Sequence, residues 1–412
     1  MKKLNYLNDF NFRGKRVLVR VDLNVPIAHG AIVDTSRIER IIPTIKYLVK
    51  HKAKVILISH FGRPKGNFSL EMSLAPIVDS LNAFLAEDNK AKFCIDCIGE
   101  EAENAVNSLK NGEVLLLENL RFYTGEEKND PKFTAALAKL GDIYINDTFS
   151  CSHRSHASIV GLAEILPCGI GMLFQEEIGH ISEILKHPKT PVAAIVGGSK
   201  ISTKITLLYS LIEKTDLLVI GGGMANTFLK AQDHEIGKSL CEDNFLAQAK
   251  QILAAAIKHN CKIILPDDVM TSSSINDTRN CEIVNITNIA HDKMILDLGP
   301  ITCNNIINEL SKCKTIMWNG PLGAFEFPPF NVSTETIARA VAGYTKQNIT
   351  TSIAGGGDIV AAIKASGLED SFTYLSTAGG AFLEWIEGKI IPGIKALKDN
   401  YTPTCQTEKL KA

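Results

Sequence analysis

Short, unbroken apolar runs rich in Val, Ile and Leu recur along this chain at helix-wide intervals, and that spacing limits the fold more than any other feature. In the first half they are Arg16–Val21, Lys54–Ser59, Val114–Leu117 and Ile143–Ile145. In the second half they are Val192–Val196, Leu217–Ile220, Lys262–Leu265, Thr315–Trp318, Thr351–Ala354 and Phe372–Leu375. A strand with one face in water alternates apolar and polar residues, whereas a strand covered on both faces reads as a continuous apolar run. The segments between, such as Asp243–His259 and Thr334–Thr345, have helical length and composition. Strand–helix alternation throughout predicts an α/β fold with two doubly wound, Rossmann-like parallel sheets. A length of 412 residues accommodates two large domains.

Phe174, Ile178, Ile181, Ile184 and Leu185 carry a helical pattern in a segment preceded by Pro167 and Gly169 and followed by Pro188 and Pro191. This predicts one hinge helix joining the domains. The expected organisation is a first domain over 1–170, a hinge helix over 171–187 and a second domain over 188–392. The tail over about 393–412 is expected to pack back on one of the two domains, with the first as the candidate.

Apolar residues make up 45% of the chain and charged residues 22%, the balance of an ordinary globular protein. The formal net charge of −1 offers no overall attraction to nucleic acid or an acidic membrane. No apolar stretch approaches the ~20 residues of a membrane span. The polar start and ten scattered cysteines suit a cytosolic protein with reduced thiols. Cys94-Ile-Asp-Cys97 has redox-motif spacing, but a lone pair of this kind without nearby histidines reads as incidental.

In open parallel sheets, ligands bind beyond the carboxyl ends of the strands. In the first half those ends carry Asp22 and Asn24, His60 and Arg63, Arg121, and Asn146 and Asp147, with His153, Arg154 and His156 soon after. Arg37 follows the first strand. Guanidinium forks bind carboxylate and phosphate bidentately, so this edge suits a small acid bearing both groups.

The second half is different. Its strand ends carry Gly197-Gly198-Ser199-Lys200, Gly221-Gly222-Gly223, Asp267-Asp268, Asn319-Gly320-Pro321, Gly355-Gly356-Gly357-Asp358 and Thr377-Ala378-Gly379-Gly380. Glycine clusters bring backbone N–H groups close to phosphates, and helices that begin there add the positive end of their dipole. Lys200 and Lys204 add charge, and Asp358 is the candidate Mg²⁺ ligand. Asp267-Asp268 reads as a polar loop. There is no GxxxxGK[ST], no strand-linked GxGxxG with a following acid, and no HRD or DFG. P-loop, dinucleotide-binding and protein-kinase readings are therefore poor.

Arg20-Val-Asp-Leu-Asn-Val-Pro26, Ser59-His-Phe-Gly-Arg-Pro64, Leu117-Glu-Asn-Leu-Arg-Phe122, His153-Arg-Ser-His156, Gly197-Gly-Ser-Lys200, Gly221-Gly-Gly-Met224, Trp318-Asn-Gly-Pro321 and Gly355-Gly-Gly-Asp358 follow in this order. Together they closely resemble the phosphoglycerate kinase family over nearly the whole chain. The resemblance implies reversible, Mg-dependent phosphoryl transfer between 1,3-bisphosphoglycerate and ADP, giving 3-phosphoglycerate and ATP. It implies a 3-phosphoglycerate site at Asp22, Leu23, Asn24, Arg37, His60, Phe61, Gly62, Arg63, Arg121 and Arg154. It implies an ADP/ATP site at Gly198, Lys200, Lys204, Gly299, Asn319, Pro321, Glu326, Gly356, Gly357, Asp358 and Ile359, with Asp358 on Mg²⁺ and Glu326 on the ribose. Arg37, Lys200 and the N–H groups near Gly379 and Gly380 are then expected to neutralise the phosphoryl group in flight. A monomer is also implied.

Three positions depart from the family pattern. Ile359 stands where Ser or Thr is usual, which removes a hydroxyl expected near the nucleotide or metal. Ala378 replaces a glycine and is tolerated if its φ is negative. Leu23 replaces a common Phe as a core swap. Two other readings have less support: a scaffolding homologue would not need Arg37, Lys200 and Asp358, and a nicotinamide oxidoreductase would need the missing fingerprint.

Overall fold

The computed structural model describes residues 3–28, 31–186, 188–376 and 378–401. Thr377 and the tail beyond 401 lie outside them. The chain divides into two compact units, one reaching Gly179 and including the segment from Ile390, the other spanning His180–Lys389.

The first unit is built on a six-stranded sheet: β1 (Arg16–Arg20), β2 (Lys54–Ile58), β3 (Ala91–Cys94), β4 (Val114–Leu117), β5 (Ile143–Asn146) and β6 (Cys168–Ile170). Their order across the sheet is β3-β4-β2-β1-β5-β6, and every pairing is parallel. The central strands have the unbroken apolar character that two covered faces require: Val17, Leu18, Val19, Val55, Ile56 and Leu57 are inaccessible to solvent. Helix α1 (Ser36–Lys50) covers one face with Ile38, Ile41, Ile42, Ile45 and Leu48, a stripe at helical spacing. Truncating Ile45 to alanine in such a setting costs about 2–5 kcal/mol. The C-terminal helix Pro392–Asp399 belongs to this unit, and the N–H of Gly393 at its start donates to the Ser152 carbonyl (2.9 Å).

Helix α2 (Met172–Lys186) crosses the division between the units. The first unit holds its start from three sides. The Met172 N–H donates to Thr44 Oγ1 (2.9 Å) and the Phe174 N–H to Asp147 Oδ1 (3.1 Å), while Arg40 pairs with Glu176 and Glu177. In the second unit the His180 ring stacks on Tyr374, with centroids 4.5 Å apart.

The second unit repeats the architecture with β7 (Val192–Val196), β8 (Leu217–Ile220) and β9 (Lys262–Ile264). An antiparallel side sheet follows, formed by β10 (Asp268–Ser272), β11 (Glu282–Asn285) and β12 (Met294–Leu298). The main sheet then resumes with β13 (Thr315–Asn319), β14 (Thr351–Gly355) and β15 (Tyr374–Ser376), in the order β9-β8-β7-β13-β14-β15 and all parallel. Helices α3 (Gly223–Ala231), α4 (Pro300–Leu310), α5 (Val332–Lys346), α6 (Gly357–Ala365) and α7 (Gly379–Ile386) are among those packed around it.

The two parallel sheets are the expected α/β pair. Edge strands β3 and β6 and the whole side sheet go beyond the expected runs. In each main sheet the winding reverses beside the first strand, between β2 and β5 around β1 and between β8 and β13 around β7. Such switch points open a crevice at the strand carboxyl ends.

Candidate active site

In the first unit the crevice is lined by side chains that hold one another. Asp22 lies just past β1. Its Oδ2 accepts from Arg37 Nη1 (2.7 Å) and Ser150 Oγ (2.7 Å), and its Oδ1 from the Asn24 N–H (3.1 Å). Burial alone would raise this carboxyl; Arg37 first, then Ser150 and the Asn24 N–H, outweigh it and hold it at about 2. Asn24 Oδ1 accepts the Gly62 N–H (2.9 Å), and Arg121 Nη1 donates to the Gly62 carbonyl (2.7 Å). Gly62 has φ +58°, so the loop after β2 turns there in a left-handed conformation that favours glycine.

Asn119 clamps the same loop, accepting the Phe61 and Arg121 N–H groups on Oδ1 and donating to the Phe61 and Met72 carbonyls. Arg121 is buried. Its guanidinium is pulled down by burial first and by Arg154 next, against the opposing pull of Glu127. Burial, and then Arg20, Arg121 and Arg154, push the His60 imidazolium well below its ordinary range although Asp22 favours it.

Asp22, His60 and Cys151 bring ligating atoms within 4.8 Å of one another. Arg37 already lies 2.7 Å from Asp22 and Arg20 3.0 Å from His60, and this positive charge disfavours a cation at the cluster. Arg63 is exposed and Arg154 half-buried on the same loops. Leu23 and Phe61, by contrast, turn their side chains into the apolar core, so only their backbone faces the crevice. The Leu23 N–H is already taken by Ser59 Oγ (3.0 Å).

In the second unit the crevice is made of backbone. Loops after β7, β8 and β13 approach so closely that side chains do not fit between them. A Cβ on Gly197 would lie 1.9 Å from the Pro321 carbonyl oxygen, and one on Gly222 (φ +69°) 2.6 Å from that of Gly198. Lys204 donates to the Gly197 carbonyl (2.6 Å) and to Asn319 Oδ1, tying the β7 and β13 loops together. Burial lowers this ammonium to about 8 although Asp358 supports its charge. Asn319 Nδ2 reaches the Gly355 carbonyl, bringing in the β14 loop.

Beside these loops lies a largely apolar cavity of about 580 Å³, ample for a nucleoside. Gly198, Pro321, Glu326 and Asp358 are among its lining residues, and Asp358 and Glu326 are exposed. The apolar walls, including Ala225, Leu240, Leu296, Leu298 and Phe325, carry no motif that sequence reading singles out. Lys200 is exposed at the end of its glycine loop, and Gly379 and Gly380 form the first turn of α7. Ala378 has φ −96°, so its methyl group is accommodated.

Two expected nucleotide positions can offer the cavity only their backbone. Ile359 lies in the first turn of α6 with its side chain inaccessible in the apolar core, so its departure from Ser or Thr removes no hydroxyl from the cavity. Gly299 is packed against Asp268, where a Cβ would lie 2.2 Å from the carboxyl carbon. Asp268 itself is buried and accepts the Ile301 and Thr302 N–H groups, anchoring the start of α4. Cys94 and Cys97 are buried thiols that burial pushes up, contrary to what redox reactivity requires.

The sequence profile of the phosphoglycerate kinase family matches residues 7–389. The phosphoglycerate kinase of Sinorhizobium medicae is 51% identical over 397 residues, covering 96% of this chain and 98% of the relative. That of Brucella melitensis is 52% identical over 392 residues, covering 95% and 98%. The structure of phosphoglycerate kinase from Coxiella burnetii superposes with a TM-score of 0.86 at 39% identity, covering 97% of this chain and 100% of that one. The enzyme of Pyrococcus horikoshii gives 0.83 at 29% identity, with 96% and 98% covered. Fold, motifs and relatives agree over nearly the full length, and the chain belongs to the phosphoglycerate kinase family.

Proposed function

We propose that the side-chain crevice of the first unit binds 3-phosphoglycerate, that the backbone crevice of the second binds ADP or ATP, and that α2 is the hinge on which the units close for transfer. Membership of the family makes the chain an ATP:3-phosphoglycerate 1-phosphotransferase of glycolysis. The observation that carries the assignment of sites is the contrast in charge carriers. Guanidinium groups converge on Asp22 and His60 in one unit, and glycine loops border a nucleoside-sized cavity in the other.

The acceptor in the ATP-consuming direction is a carboxylate, ionised at neutral pH, so no general base is required. What remains is positioning and charge. Arg121, Arg154, Arg63 and the neutral His60 hold the acid, while Asp22 keeps the Arg37 guanidinium at the crevice. Arg37 and Lys200 neutralise the phosphoryl group in flight, and the N–H groups of Gly379 and Gly380 meet its oxygens. Glu326 takes the ribose. One exposed carboxylate beside phosphate-binding loops is a donor set that fits Mg²⁺, and Asp358 is the residue that would hold it. When bound with the nucleotide, the ion supplies charge neutralisation to the β- and γ-phosphates.

The reading includes a cytosolic monomer. Among the described residues every cysteine is a free thiol and no helix is long and apolar enough to cross a membrane. The test is 3-phosphoglycerate-dependent ATP consumption with Mg²⁺, coupled to reduction of the acyl phosphate, in wild type and Lys200→Ala. Activity that falls about 10²–10³-fold in the variant supports the reading. Equal activity in both removes Lys200 from the mechanism.

A further inference from the structure

We propose that Arg20, which the scheme above leaves unused, fixes the tautomer and orientation of His60, so that His60 meets the anionic substrate as a neutral Nε2–H donor across the working pH range. The proposal rests on the reading of His60 as a 3-phosphoglycerate ligand.

Arg20 ends β1 and is only 1% exposed, so it is shielded from solvent in a way the ligand-facing arginines Arg37 and Arg63 are not. It is clamped on three nitrogens. Nε donates to Ser158 Oγ (2.9 Å), Nη1 to the Val21 carbonyl and Nη2 to His60 Nδ1 (3.0 Å). Ser158 is itself fixed, donating Oγ–H to Glu126 Oε1 (2.6 Å) and N–H to Glu126 Oε2 (3.0 Å). Glu126 is fully buried, with His156 Nδ1 3.7 Å from it, and it balances Arg20 through Ser158.

A guanidinium has donors and no acceptor. The His60 Nδ1 that meets it must therefore offer a lone pair, and a neutral ring then carries its proton on Nε2. Of the groups acting on the ring, Arg20, Arg121 and Arg154 oppose a second proton, Asp22 favours one, and the Cys151 thiol lies close by. Three cations against one carboxylate, in a buried position, keep the ring neutral. A histidine left to titrate near 6.5 would change charge, and hence substrate affinity, within the range where the enzyme works. Arg20 adds to burial, Arg121 and Arg154 in removing that dependence, and its bond to Nδ1 leaves one ring N–H in a fixed direction.

The tautomer is read directly by long-range ¹H–¹⁵N correlation on the ¹⁵N-histidine enzyme, with His60 assigned from the signal missing in His60→Gln. The expected wild-type spectrum has an unprotonated Nδ1 and a protonated Nε2 that do not titrate between about pH 5.5 and 8. A protonated Nδ1, or an ordinary titration, overturns the proposal without any Arg20 variant being needed.

Arg20→Met takes away the nearest of those cations and the Nδ1 clamp, so His60 is expected to gain a second proton more readily and to lose its single tautomer. The variant's KM for 3-phosphoglycerate, divided by the wild-type value to cancel the substrate's own ionisation, should then vary by ~10-fold across that pH range. The same ratio for ATP should stay flat. If the Met variant does not fold, Arg20→Lys serves: one ammonium cannot hold Ser158, Val21 and His60 together, and mixed tautomers are expected. In the His60→Gln background, Arg20→Met should add less than ~2-fold to KM, because the two act in series. A full additive loss means that Arg20 acts independently and overturns the proposal. His60→Gln with an unchanged KM overturns the ligand reading on which the proposal rests.

Discussion

The two crevices sit at equivalent switch points of similar sheets, yet they are built by opposite means. The first uses charged side chains locked by partners: Asp22 by Arg37 and Ser150, Arg121 by the Gly62 carbonyl, and His60 by Arg20. The second uses backbone, with loops so close that Gly197 and Gly222 have no room for a Cβ. A side-chain receptor suits a small acid whose few charges must all be met, because guanidinium forks impose geometry. A backbone cradle suits a polyphosphate, because N–H groups offer many similar contacts without side-chain entropy to lose. The first site should therefore fail charge by charge, and the second should fail when the backbone is moved.

The largest effect expected from that contrast is in the first unit. Arg154→Ala removes a half-buried cation acting on His60, Arg121 and His153. Steady-state kinetics should show KM for 3-phosphoglycerate raised ~30–100-fold, in line with a lost charge-assisted hydrogen bond. KM for ATP should change less than 3-fold. An equal rise in both constants would dissolve the division of labour between the crevices.

The counterpart in the second unit is Gly222→Ala. Its added methyl carbon would lie 2.6 Å from the Gly198 carbonyl oxygen at a positive φ of 69°. The loops must part, which should raise KM for ATP ~10-fold and cost about 1–3 kcal/mol of stability. KM for 3-phosphoglycerate should hold. An unaltered ATP constant would mean that the cradle tolerates movement and that side chains carry the nucleotide after all.

Protonation distinguishes two carboxyls at the crevices as well. Asp22, held at about 2 against an ordinary 3.8, contributes stability that is complete above pH 3.8 and is lost as pH falls through about 2. Asp297 lies in the cavity wall of the second unit, with Ser333 donating to both its oxygens. Burial outweighs the hydrogen bonds from Ser333 and Leu298 and raises it to about 7. Its sign is opposite: the folded protein favours the protonated acid, so stability falls as pH rises from 3.8 to about 7. Urea unfolding across pH 4–8 should show Asp22→Asn less stable than wild type by on the order of 2 kcal/mol at neutral pH. Asp297→Asn should gain on wild type by on the order of 2–4 kcal/mol as pH rises over the same span. Parallel curves for Asp297→Asn and wild type would show that this carboxyl is not strained by burial.

How far the sequence reveals this molecule follows from the same contrast. Strands covered on both faces announce themselves as apolar runs, so the interiors of both sheets were legible. Edge strand β3 is four residues long and mixes exposed Lys92 with buried Ala91 and Cys94, and β6 is three residues long around Gly169, so neither has the length or pattern to stand out. The side sheet is half-exposed, with a strand as polar as Glu282–Asn285. At the sites, residue type was legible and direction was not. Arginine, histidine and glycine clusters marked the crevices, but nothing local says that Leu23 and Phe61 point inward. Arg20 sits inside a strand run, where its charge reads as a strand terminus rather than as support for His60. The apolar cavity wall was invisible because Leu240 and Leu296 look like any core residue until the fold assembles them.

Ile359 is the sharpest small test of that limit. Its position after the glycine-rich Gly355–Asp358 segment suggests a nucleotide contact, yet its side chain points into the core of the second unit with no exposure. Restoring the usual hydroxyl with Ile359→Thr shortens a buried aliphatic side chain and buries an oxygen. Loss of packing and a poorly satisfied hydroxyl should together cost about 1–3 kcal/mol in urea unfolding. The backbone N–H at 359 is unchanged, so KM for ATP should stay within 2-fold of wild type. A tighter ATP constant with undiminished stability would mean that the first turn of α6 rotates to present this residue to the nucleotide. The cradle would then depend on a side chain, and the contrast between the crevices would be one of degree.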